Sequence, residues 1–151
     1  MSFRIARETP NQPEVHALLA ASDAYARALY PPESNHLLEL AALLAPSVTF
    51  LVARDAAGAI GCGAIVRDDG WFEIKRMFVA PAARGRGVGR ALLDQLQAEA
   101  QRRGARLLRL ETGIRQPEAI GLYRAAGFAE VGPFGDYRPD PLSLFFEKRL
   151  A

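Results

Sequence analysis

The spacing of apolar positions changes along the chain and divides it into elements. Residues 3–7, FRIAR, alternate apolar and charged side chains, and that two-residue period predicts a short edge strand. From 12 to 30, Val15, Leu18, Leu19, Ala26 and Leu29 recur at helical spacing, and Pro31-Pro32 ends the helix. Leu37, Leu40, Leu43 and Leu44 predict a second helix over 35–45, stopped before Pro46. The period then shortens. VTFLVAR (48–54), AIGCGAIVR (59–67) and WFEIKRMFV (71–79) read as a three-stranded meander, joined by turns at 55–58 and 68–70. Gly61 and Gly63 in the middle strand predict a bulge or a close backbone approach.

Further on, Val88, Leu92, Leu96 and Ala100 stand four apart and predict the buried stripe of a helix ending at Arg103, with Gly104 at its C′ position. RLLRLET (106–112) is a strand. Pro117 opens another helix, which runs to Ala126 and is closed by Gly127. FAEVGPF (128–134) and LSLFFEKRL (142–150) supply the last two strands. The expected class is α/β: a single domain over 1–151 with a mixed sheet, about four helices and a parallel strand–helix–strand unit. Right-handed crossover makes 71–79 and 106–112 parallel neighbours.

Composition narrows the function classes. The 151 residues fit one domain, and a formal charge of +2 with no long block of like charge gives no nucleic-acid arm. No aromatic run or recognised motif supports nucleic-acid binding. A single cysteine, Cys62, excludes an internal disulfide and points to a reducing cytoplasm. The N-terminus lacks a signal-peptide run, and no stretch approaches the ~18 apolar residues of a membrane span.

Candidate chemistry concentrates at VAPAARGRGVGRALLDQL (79–96). Three arginines (Arg84, Arg86, Arg90) alternate with three glycines (Gly85, Gly87, Gly89) between a strand and a helix. The first N–H groups of that helix lack partners and its dipole is positive there, so a phosphate or pyrophosphate fits. A P-loop would need Lys then Ser/Thr after the last glycine, and Val88-Gly89-Arg90 provides neither. A dinucleotide fingerprint starting at Gly85 would need Gly or Ala at position 90.

The remaining pattern resembles the signature loop of the GNAT superfamily of N-acetyltransferases, with Arg84, Gly87 and Gly89 at its three marked places. EIKRMFV resembles the family's fourth strand. QPEAIGLYRAAGF resembles its second motif through Ala119, Leu122, Tyr123, Gly127 and Phe128, with Gln116 where asparagine is usual. The resemblance implies that acetyl-coenzyme A is the co-substrate. Its pyrophosphate would lie on Arg84, Gly85, Arg86, Gly87, Val88, Gly89 and Arg90, its pantetheine arm along Met77, Phe78 and Val79, with Gln116 nearby. It further implies Tyr123 as the acid that protonates the leaving thiolate. The alternative for Tyr123 is a core aromatic whose hydroxyl caps a strand carbonyl.

Glu73 is the expected base, from the matching glutamate of the histone-acetylating branch. The alternatives are an exposed carboxylate paired with Lys75 or Arg76, and a water chain as base. Strand alternation puts Glu73, Lys75 and Met77 on one face, unless a bulge intervenes.

Other residues carry weaker expectations. His16 and His36 have no ligand-spaced partner, so no metal is expected. Cys62 reads as a small buried residue. The segment 132–143, with Asp136, Tyr137 and Asp140, is either part of a pocket for a cationic amine or an ordinary turn. Arg115 would instead favour a carboxylate on the acceptor. The expected partner is a small-molecule amine, with protein amines and a non-catalytic coenzyme A sensor as alternatives, and the chain could act as a homodimer.

Overall fold

The period-two segments pair into one seven-stranded sheet in the order β1-β2-β3-β4-β5-β7-β6. A computed structural model describes residues 2–150. The strands are β1 (Arg4–Arg7), β2 (Val48–Asp55), β3 (Gly58–Arg67), β4 (Phe72–Val79), β5 (Leu107–Gly113), β6 (Ala129–Val131) and β7 (Ser143–Arg149). The helices are α1 (Pro13–Leu29), α2 (Leu40–Leu43), α3 (Val88–Arg102) and α4 (Pro117–Ala125). All neighbouring strands run antiparallel except β4 and β5, the two joined through α3. Among the described residues no helix is long and apolar enough to cross a membrane.

Each sheet face carries its own core. Val88, Leu92, Leu93, Leu96 and Ala100 of α3 pack with Ile65, Ile74, Leu108, Leu110 and Phe146 on one face, where Tyr123 of α4 also lies. Val15, Leu18 and Leu19 of α1 pack with Phe50, Val52, Cys62 and Phe78 on the other. Gly61 and Gly63 let α3 approach the sheet: a Cβ at Gly63 would sit 2.9 Å from both the Leu96 Cδ1 and the Met77 Sδ. That is the close approach expected of these two glycines.

Two sequence expectations fail locally. The helix expected over 35–45 is only the single turn Leu40–Leu43, because Asn35 and Glu39 are extended (ψ 111° and 157°). The segment is held instead by its backbone, since the His36 carbonyl accepts a hydrogen bond from Lys75 Nζ at 3.0 Å. Its leucines still reach the core, with Leu43 buried and Leu38 and Leu40 packed against the α1-side cluster. The strand expected over 128–134 shortens to Ala129–Val131, after which Gly132 and Pro133 leave the ladder.

A bulge decides the geometry of β4. Cys62 pairs with Phe78 and Ala64 with Lys75, so two residues of β4, Arg76 and Met77, face the single Gly63 of β3. Arg76 takes a left-handed φ of 58°. A non-glycine residue there costs on the order of 1–3 kcal/mol and persists only when its surroundings hold it. Its buried guanidinium provides that hold, bonding the Asp23 carboxylate at 2.7 Å and the Leu19 carbonyl at 3.2 Å, both on α1. After the extra residue, Met77 packs with Ile74 on the α3 face. Met77 therefore does not share a face with Glu73 and Lys75.

Leu96 is fully buried between α3 and the sheet. Leu96→Ala is expected to cost about 2–5 kcal/mol. In urea unfolding this appears as a lower midpoint at unchanged slope.

Candidate active site

β4 and β5 pair only from Phe72↔Leu108 to Ile74↔Leu110 and then diverge, while β4 continues against β3 to Val79 and β5 against β7 to Gly113. Two cavities meet in this opening. A cleft of about 390 Å³ runs from the divergence to the glycine-rich loop. A smaller cavity of about 120 Å³ lies on the α1 side. Tyr25, Met77, Phe78, Gln116, Ala119 and Tyr123 line both.

The cleft ends in an anion-ready loop. Gly85 and Gly87 both have φ of 81°, and a Cβ at either would meet nothing within 4 Å, so the loop is bare backbone facing open space. Gly87 is the N-cap of the 15-residue α3 and no side chain caps it. Arg84, Gly85, Gly87, Val88, Gly89 and Arg90 line the cleft. The Arg84 guanidinium stacks over Tyr25 and Phe78, 5.3 and 5.8 Å from the ring centroids, and its Nε donates to the Val79 carbonyl at 3.3 Å. Arg90 pairs with Asp94 one turn along. Arg86 stands apart. It bonds the Asp55 carboxylate at 2.8 Å and does not line the cleft, so it anchors the loop to the β2–β3 turn. Arg86 and the backbone N–H of Ala57 hold the Asp55 carboxyl below the usual carboxylate range.

Tyr123 sits where the cavities join. Burial, and after it the charge of Glu111, pushes its phenol well above the ordinary tyrosine value. Its ring packs edge-on against Phe128 and at a tilt against Phe146. Gln116, the N-cap of α4, lies 3.5 Å from the Tyr30 hydroxyl through its Nε2. That hydroxyl also accepts the backbone N–H of Arg115 at 3.0 Å. It stands 1.9 Å from the place a Cβ at Gly113 would occupy, so a side chain at that end of β5 would have to displace the Tyr30 ring.

Glu73 and Glu111 stand in different settings near the opening. Glu73 is buried, accepts the Tyr137 hydroxyl at 2.5 Å and lies 3.3 Å from Lys75 Nζ, yet it lines neither cavity. Lys75 Nζ also bonds the Tyr137 hydroxyl, and the ring of Tyr137 lies 4.9 Å beneath the ammonium. This clamp joins β4 to the loop after β6 and, through the His36 carbonyl, to the segment after α1. Tyr137 and Asp140 thus back the small cavity without lining it. Tyr137 packs edge-on against His36, and Asp140 Oδ2 lies 3.9 Å from His36 Nε2. Asp136 is exposed.

Glu111, not singled out from the sequence, does line the small cavity. Its Oε2 accepts the Ser143 hydroxyl at 2.8 Å, and burial raises its carboxyl above the usual range. A signal for it was present: a carboxylate among the leucines of RLLRLET, near the C-terminal end of a parallel strand, where open α/β sheets place ligands. Cys62 is fully buried and its thiol is pushed up to about 12 by that burial, as a structural cysteine would be.

Comparison with known proteins places this geometry. Residues 46–130 match the acetyltransferase (GNAT) domain. An IAA acetyltransferase from Azospirillum brasilense is 53% identical over 148 residues, 97% of each chain. A crystal structure described as an acyl-CoA N-acyltransferase from Klebsiella pneumoniae shares 39% identity and superposes with a TM-score of 0.83, covering 99% of this chain and 98% of that one. A GNAT acetyltransferase from Elizabethkingia anophelis with acetyl-CoA bound, 22% identical, shares the fold at a TM-score of 0.72 over 98% of both chains. The chain belongs to the GNAT acetyltransferase family.

Glu111 gives a stability test with a definite sign. Its folded pKa is raised, so the folded chain holds the proton more tightly than the unfolded chain does. Its contribution is complete below the unfolded pKa and is lost as pH rises through the folded one. Glu111→Gln keeps the uncharged form at all pH values. Its thermal midpoint is expected above that of the native chain at about pH 7.5, with the gap closing toward about pH 4.

Proposed function

We propose that the chain is an N-acetyltransferase that moves the acetyl group of acetyl-coenzyme A directly onto a primary amine of a small molecule, both held in one ternary complex. The observation that carries this is the junction of two differently built cavities at Tyr123, one ending in an uncapped helix N-terminus and the other walled by 34–37. The loop fits the co-substrate's pyrophosphate, since bare N–H groups at a positive helix end favour such an anion. The backbone of Met77, Phe78 and Val79, on the edge that β5 has left, pairs with the pantetheine arm. The bound neighbour from E. anophelis supports this choice of co-substrate.

The chain's own groups then divide the proton work. A free alkylamine has a pKa of ~10.4 and cannot attack while protonated. Glu111, on the wall of the small cavity and raised by burial, takes a proton from the incoming ammonium. The freed nitrogen forms the new bond to the thioester carbon, and that carbon's bond to sulfur breaks. Tyr123 donates a proton to the departing thiolate, and the proton lost by the amide nitrogen restores the phenol. In this reading Glu73 is a structural anchor in the clamp with Tyr137 and Lys75.

A protein acceptor fits less well. A lysine on a folded surface would need an open groove, whereas Ser34, Asn35, His36 and Leu37 wall the cavity and the Lys75–Tyr137 clamp holds them in place. The compartment proposed remains the reducing cytoplasm.

The decisive assay is thiol release from acetyl-coenzyme A across a panel of small amines, with IAA tested beside them. Tyr123→Phe is expected to lose about 10²-fold in kcat, at the low end for a general acid, with co-substrate affinity kept in calorimetry. A coenzyme A sensor would show no turnover in the native chain. Glu73→Gln is expected to raise the acceptor KM while leaving the acidic limb of the pH–rate profile, which reports the base, in place. Glu111→Gln is expected to lose about 10²–10⁴-fold in kcat. Collapse of kcat in Glu73→Gln with Glu111→Gln near native would return the base to Glu73.

A further inference from the structure

We infer that the acceptor is a small amine received as its ammonium ion, with no carboxylate beside the amine. This rests on the reading that the small cavity holds the acceptor, and it concerns only what that cavity can recognise.

The cations on the wall are already committed. Lys75 Nζ bonds the His36 carbonyl at 3.0 Å and the Tyr137 hydroxyl, and lies 3.3 Å from Glu73. Its charge is therefore met by the Glu73 carboxylate, and two of its donors by the carbonyl and the hydroxyl. Arg76 spends its two terminal nitrogens on Asp23 and the Leu19 carbonyl, and its charge is met by the Asp23 carboxylate. His36 turns a buried Nε2 toward Asp140. Arg115, which the sequence offered as a carboxylate partner, bonds the Leu29 carbonyl, lies over the Tyr30 ring and is exposed outside the cavity.

The anion on the wall is in the opposite condition. Glu111 is bonded to a neutral hydroxyl, that of Ser143, and burial raises its carboxyl. An ammonium placed beside it supplies the missing counter-charge and relieves that burial cost. The aromatic faces of Tyr25, Tyr30 and Tyr123 line the same space and also favour a cation. A carboxylate on the acceptor would lie close to Glu111, in the field of Glu73, while Lys75 and Arg76 on the wall are already paired with carboxylates of the chain. Like charges held together out of water are strongly disfavoured.

The test compares matched pairs that differ by one carboxylate: tyramine with tyrosine, phenethylamine with phenylalanine, histamine with histidine. Each is titrated calorimetrically into the native chain saturated with coenzyme A, so the readout does not depend on turnover. Each amine is expected to bind at least about tenfold more tightly than its amino acid, a difference of about 1.4 kcal/mol. In Glu111→Gln the preference is expected to shrink below about threefold, or ~0.7 kcal/mol. An amino acid that binds as well as its amine overturns the inference, as does the absence of binding by all six compounds, or a preference unchanged in Glu111→Gln. The proposed transfer fails separately, if the amines bind as expected and no thiol is released from acetyl-coenzyme A.

Discussion

The centre of this molecule depends on one residue held against its preferred backbone geometry. Arg76 sits in the left-handed region inside β4 and is kept there by its buried bonds to α1. Without the extra residue, Met77 would fall on the α1 face and Phe78 on the α3 face, the reverse of what is observed. The bulge increases local twist, and just before it β4 ceases to pair with β5. The opening between the strands is where Tyr123 meets both cavities. The α1–β4 ion pair is thus part of the site's architecture, although neither charge belongs to the proposed chemistry.

Electrostatics sorts the remaining charges into those that are paired and those that are left open. Arg86 with Asp55 and Lys75 with Glu73 and Tyr137 are closed groups that fix loops. Such groups lose most when one member is removed, because the partner is left charged and partly desolvated. Glu111 and the N-terminus of α3 are open by contrast, one bonded to a neutral hydroxyl and the other uncapped by any side chain. A folded chain leaves such groups incompletely matched where a ligand is to complete them.

Most of the fold was legible from periodicity. The meander, the crossover through α3 and the parallel neighbours follow from runs long enough for their period to be unambiguous. The stripe Val88, Leu92, Leu96, Ala100 is buried as spaced. The segment 35–45 was not legible, because leucines that imitate a helical stripe can also fill a core from an extended chain, and a long-range bond from Lys75 to the His36 carbonyl decided the matter. Within the site, the geometry of the glycine–arginine loop was readable as bare backbone ahead of a helix, although Arg86 turns away from the cleft to Asp55. The facing of Met77 was not readable, since a bulge has no reliable mark in sequence when its residue is arginine. The placement of Glu73 behind the cavity and of Glu111 on its wall needed the actual divergence of two strands.

The contact between Tyr30 and Gly113 carries a consequence for how this chain can change. The phenol oxygen occupies the volume that any side chain at 113 would need. Positions 30 and 113, far apart in the gene, therefore behave as one heritable unit. A side chain at 113 would require the residue at 30 to shrink or swing aside, and either change would give up the tether that holds the start of α4.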